Sequence, residues 1–120
     1  MKIAILAFLI VFALVGQAVC RDGNELLSKC KATLKTTTDP KDIPDANFCL
    51  GFIVGVADTS ITYHGLYNAP HLVCIPADAK IPHTQLATVV VKYLENHPDQ
   101  LHYEASSTVI AALREVFPCK

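Results

Sequence analysis

The chain has 120 residues, with 10 Lys or Arg, 11 Asp or Glu and five His, for a formal charge of −1. No basic cluster runs along it, which excludes the electrostatic footprint of a nucleic-acid binder. Its 52% hydrophobic content and positive mean hydropathy are inflated by one N-terminal stretch, so they do not argue for a membrane protein.

That stretch is a leader. Lys2 supplies a positive start, Ile3 to Val15 is an unbroken apolar run, and Gly16-Gln17-Ala18 offers the small residues a signal peptidase reads. The run is shorter than the ~20 residues a membrane-spanning helix needs. Residues 1–18 are therefore expected to be a signal peptide cleaved after Ala18, with cleavage after Cys20 the alternative. Cys20 follows an apolar run, but Gln17 and Val19 fit a lipoprotein signal poorly. Without Lys2, nine basic residues face 11 acidic ones. Residues 19–120 then form one domain, exported and free of the membrane once the leader is removed, with a modest core.

Asn24 to Leu34 reads as a short amphipathic helix, with Leu26, Leu27, Cys30 and Leu34 on one side. Thr36-Thr37-Thr38-Asp39-Pro40 breaks it. The central helix spans Asn47 to His64, where Phe48, Phe52, Val56 and Tyr63 recur at helical spacing beside Cys49, Ile53 and Ala57. Asp45 or Asn47 can cap its start, and Gly65 is expected to end it in a left-handed conformation. Gly51 and Gly55 stand four apart and each costs ~1 kcal/mol in a helix relative to alanine, which implies a close backbone approach. The approaching element belongs either to the same domain or to a second copy of the chain.

Gly65 to Pro82 reads as a loop of about 18 residues, long enough to be functional or simply a tethered connector. His83 to His97 is the clearest helix, with Leu86, Val89, Val90, Tyr93, Leu94 and His97 on one face and Thr84 able to cap it. Pro98 to His102 forms a tight corner. Glu104 to Phe117 is the last helix, with Ala105, Val109, Ala112, Leu113 and Val116 facing inward. The fold class is all-α, a small disulfide-stabilised bundle of about four helices.

Of five cysteines, Cys20 abuts the cleavage site and is the odd one. Cys30, Cys49, Cys74 and Cys119 imply two disulfides in an oxidising compartment. Three pairings are possible and spacing does not select among them. The favoured one joins Cys30 to Cys49, tying the first helix to the central one, and Cys74 to Cys119, pinning the carboxyl end to the middle loop. The wide spacings, without any Cys-x-x-Cys, speak against zinc.

Catalytic motifs are absent from the sequence. No His-Glu-x-x-His occurs, and His97 and His102 flank a proline as helix-end residues would, a weak metal signal. Ser106 and Ser107 lack a glycine-flanked elbow. Asp58 reads as a polar-face residue or a buried or interface carboxylate. Asp39, Asp42 and Asp45 mark a helix approach rather than an acid–base pair. No glycine loop cradles phosphate. The expectation is a binding protein with no catalytic residue, cofactor or metal.

Several stretches carry a more specific resemblance. Phe48-Cys49-Leu50-Gly51-Phe52-Ile53-Val54-Gly55-Val56-Ala57-Asp58 is joined by Val73-Cys74-Ile75-Pro76, by the segment Val90 to His102, and by Ala111-Ala112-Leu113 with Phe117-Pro118-Cys119. Together they resemble the Rap/Tai immunity family over residues 24–120. The resemblance implies a periplasmic, all-helical and often dimeric protein that occludes the active site of a peptidoglycan amidase effector delivered by type VI secretion. It implies no individual contact residues. Tyr67 is taken as an aromatic anchor, with His64, Asn68 and His71 as polar contacts and Asp99 and Gln100 as a second patch. The opposing view of Tyr67 is a side chain packed on its own core. The rival functions are an exported helical carrier or chaperone for an apolar ligand or unfolded client, with a cavity lined by Ile53, Val56, Val89 and Tyr93, then a small hydrolase, then a structural envelope protein.

Overall fold

A computed structural model describes residues 21–36 and 39–120. The expected leader, its cleavage site and Cys20 lie outside the described residues, as do Thr37 and Thr38 of the helix break. Four α-helices follow in chain order: α1 (Gly23–Cys30), α2 (Ile43–Tyr67), α3 (His83–Asn96) and α4 (Ala105–Val116). Short 3-10 turns at Lys31–Leu34 and Pro98–Gln100 close α1 and α3. The fold is all-α. An isolated bridge between Asp22 and Glu104 is the one extended pairing among the described residues.

The core forms where the four helices meet. Leu26, Ile53, Val90, Leu94, Val109 and Leu113 are sealed from solvent. On α2 the deepest stripe is Cys49, Ile53, Ala57 and Ser60, one position round from the stripe expected from the aromatic residues. Phe48, Phe52 and Val56 pack at its edge, and Tyr63 is 47% exposed. The Cys30–Cys49 bridge joins α1 to α2 with both sulfurs inside the core, and Cys74–Cys119 joins the long loop to the C-terminal tail.

Helix ends depart from expectation for local reasons. Asp22 caps α1, accepting from the Glu25 N–H at 2.9 Å. The 3-10 turn then rotates Leu34 outward, to 45% exposure. Helix α2 starts earlier than expected, at Ile43 with Pro44 in its first turn, and no side chain caps it. Asp42 and Asp45 instead face Lys35 and Lys29, at 2.8 and 2.9 Å. Gly65 is not the C-cap. The helix passes through it to Tyr67, and Asn68 takes the left-handed position at φ 48°. Asparagine tolerates that conformation, and Pro70 two residues on prevents further winding. Thr84 lies inside α3 and makes no cap, because Pro82 occupies the cap position. Val116 points outward, 51% exposed.

The close backbone approach is made by a different glycine. Residues 22–24 are sewn to the corner after α3, with Gly23 N–H donating to the Tyr103 carbonyl at 3.0 Å and Asn24 N–H to that of Leu101 at 3.1 Å. A Cβ on Gly23 would stand 3.0 Å from the Leu101 carbonyl oxygen and 3.1 Å from its Cα, whereas one on Gly51 or Gly55 would meet nothing within 4 Å. Gly23→Ala is therefore expected to destabilise the domain by ~1–3 kcal/mol through overpacking. Gly55→Ala is expected to raise stability by ~0.5–1 kcal/mol, since it only restricts an exposed helix position. Thermal unfolding of the two variants checks the opposite signs.

Candidate functional site

Helix α2 has more apolar surface than the bundle can cover. It runs 25 residues with a mean hydropathy of 1.2 over its most apolar window, of which 22% is buried. By length and composition alone it would cross a membrane, yet Cys49 and Ile53 sit fully inside the four-helix core. What remains exposed is concentrated in its second half, where Ile61 is 58%, Leu66 72% and Tyr67 70% exposed. The view that Tyr67 packs down onto its own core is thus corrected.

The end of α2 and the loop after it are held together. The ring of His64 stacks on that of His71 with centroids 3.4 Å apart. Its Nδ1 faces the Ala69 carbonyl, and since a carbonyl has no proton to give, that nitrogen carries one and donates. Tyr63 and Tyr67, one turn apart, bring their rings to 5.3 Å. The structure therefore brings His64, Tyr67, Asn68 and His71 into one knob. Beyond it the chain from Asn68 to Pro82 forms no helix or strand, and it is pinned by buried Val73 and the Cys74–Cys119 bridge.

Asp99 and Gln100 lie on the corner after α3. Asp99 is exposed. The Gln100 Oε1 accepts the Tyr93 hydroxyl at 2.7 Å, so half of its amide is engaged internally. The His97 ring stacks on Tyr93 at 4.0 Å and its Nδ1 donates to the Tyr93 carbonyl at 2.8 Å, so this histidine is a corner element. No hydrogen bond, ion pair or ring contact among the described residues joins this corner to the knob.

An open apolar groove of about 620 Å³ runs beside the knob, between α2, Leu72 of the loop and Ile110 of α4. Gly51, Gly55, Thr59 and Tyr63 form its α2 wall. The hydroxyls of Thr59 and Ser60 donate to the Gly55 and Val56 carbonyls at 2.7 and 2.8 Å, so both are engaged within the helix. Ser106 borders the groove, but no hydrogen bond among the described residues links it to a base that could activate it. No group of three or more His, Cys, Asp or Glu is placed to hold a metal ion among the described residues. The four residues expected to line one cavity are separated. Val56 borders the groove, Val89 and Tyr93 a smaller depression, and Ile53 is core.

Sequence reasoning missed Leu66 and the groove wall. The signal lay in the run 51, 55, 59, 63, 67, an i+4 row that changes from small to aromatic residues.

The bundle thus carries an uncharged groove beside an exposed aromatic knob. Residues 22–119 match the family of Rap1a immunity proteins, and the chain belongs to that family. A search of curated proteins finds no match.

Proposed function

We propose that the chain is exported to the periplasm, loses residues 1–18, and there binds and occludes the active site of a peptidoglycan amidase delivered by type VI secretion. The observation that carries this reading is the exposed knob on α2, in a chain that belongs to a family of immunity proteins. Tyr67 supplies a large anchor with few rotatable bonds, Leu66 extends its apolar surface, and Asn68 and His71 offer polar atoms at the rim. Disulfide and ring stacking fix the knob beforehand, so little ordering is lost on binding. Asp99 forms a second, outlying patch. Export suits a target that acts on the cell wall outside the cytoplasm.

The test passes the secreted proteins of the source organism over the mature, oxidised protein and follows hydrolysis of peptidoglycan peptides by any amidase retained. Complete block near one-to-one stoichiometry supports the reading. Absence of binding, with extracted lipid or many unfolded clients retained instead, moves the case to the exported carrier, for which the open groove would be the site.

The groove wall favours a homodimer as part of the same reading. Gly51 and Gly55 present bare backbone on an exposed face, and two α2 helices can cross there by interleaving i+4 rows at about 50°. Tyr67 lies 12 residues beyond Gly55, roughly 18 Å along the axis, where crossed helices have diverged, so the knob stays free. Gly55→Leu fills the crossing point, and its Cβ meets nothing within 4 Å in its own chain. It is expected to yield a folded monomer by light scattering, with unchanged helix content. A monomeric wild type would remove the dimer from this account.

A further inference from the structure

We propose that Cys74–Cys119 is a thiol-labile latch, which a dithiol reductant opens to free the loop bearing His71 while the helical core stays folded. The two bridges sit in opposite surroundings. Cys30 and Cys49 are each 0% exposed, so no thiolate reaches them without unfolding. Cys74 is half-buried and Cys119 is exposed on the C-terminal tail. Exposed bridges are the ones exchanged by external thiols.

The loop depends on that bridge. Among the described residues, its backbone hydrogen bonds are local, from Ala79 N–H to Pro76 and from Ile81 N–H to Ala79. Its other holds include the His64 contacts, buried Val73 and half-buried Leu72, Ile75 and Ile81. The Cys119 Sγ lies 3.9 Å from the His71 carbonyl oxygen. A disulfide sulfur has no proton to donate, so this is packing, and it places the bridge directly against the residue that stacks on His64. In the tail, Phe117 packs against the core and its N–H donates to the Leu113 carbonyl at 2.8 Å.

Exchange starts when one thiolate of the dithiol attacks the Cys119 sulfur. That forms a mixed disulfide and expels the Cys74 thiolate, which takes up a proton. The second thiol of the reagent, losing its proton, closes the reagent's own disulfide and expels the Cys119 thiolate, which is protonated in turn. Two electrons and two protons pass from the dithiol to the protein, which is reduced as the dithiol is oxidised. The loop then loses its covalent hold next to the knob. The latch stands on geometry alone; its consequence for partner binding rests on the reading of the knob given above.

The test titrates the mature, oxidised protein with dithiothreitol, alkylates released thiols, maps them by peptide mass spectrometry, and follows helix content and hydrogen exchange. The expected result is labelling of Cys74 and Cys119 ahead of Cys30 and Cys49, with unchanged helical signal. Exchange of the Ala79 and Ile81 amides, the hydrogen-bonded amides of this loop, should rise about tenfold or more. A Cys74→Ser/Cys119→Ser variant should show the same fast exchange without reductant. Release of all four thiols together with loss of helix overturns the proposal. So does loop exchange that stays slow in the double variant. If the loop loosens and amidase inhibition is undiminished, the latch stands and the reading of the knob as the contact surface falls.

Discussion

Cys30→Ala/Cys49→Ala is expected to lower the unfolding free energy by at least ~3 kcal/mol, the chain-entropy value for a loop of this length. The bridge spans 19 positions and both cysteines are fully buried. A domain of about 100 residues holds only 5–15 kcal/mol in total. The melting temperature should therefore fall by roughly 12–24 °C, measured by circular dichroism on oxidised protein. The same account gives ~4 kcal/mol for Cys74–Cys119, whose separation is 45. That bridge holds an exposed tail and a loop, however, and both gain freedom in the folded state once it is cut. This gain offsets part of the loss, so the Cys74–Cys119 variant should melt higher than the Cys30–Cys49 variant. The reverse order would mean that the loop belongs to the core.

Tyr67→Ala is expected to weaken amidase binding by at least ~2 kcal/mol, about 30-fold in Kd. With the side chain 70% exposed, stability should stay within ~0.5 kcal/mol of wild type. Tyr103→Ala is the control, because Tyr103 is also half-exposed, at 49%, but sits on the corner that receives α1. Calorimetric titration of both variants separates an anchor from general surface loss. Equal small effects would remove Tyr67 from the interface.

The helices were legible because burial imposes a 3.6-residue rhythm, clearest in Leu86, Val90 and Leu94. Their ends were not. Asn68 replaces Gly65 as the left-handed residue because helix winding stops only where Pro70 forces it, and a lone glycine several residues earlier does not stop it. The knob was half legible. His64, Tyr67, Asn68 and His71 converge as the loop turns back, but nothing local revealed that Gln100 binds Tyr93. The reading of the glycine pair as a close approach within the chain failed for a physical reason. A helix glycine signals either a neighbour too close for a Cβ or a groove left open, and the two leave the same mark. Gly23 is the tight one because Leu101, far along the chain, folds back onto it.

The bridges have one more consequence, for the order of assembly. They close the segments 30–49 and 74–119, which follow one another without overlap or nesting. Neither ring must be threaded through the other, and neither has to reopen for its neighbour to close. Oxidation can thus proceed in either sequence, since neither loop encloses a cysteine of the other bridge.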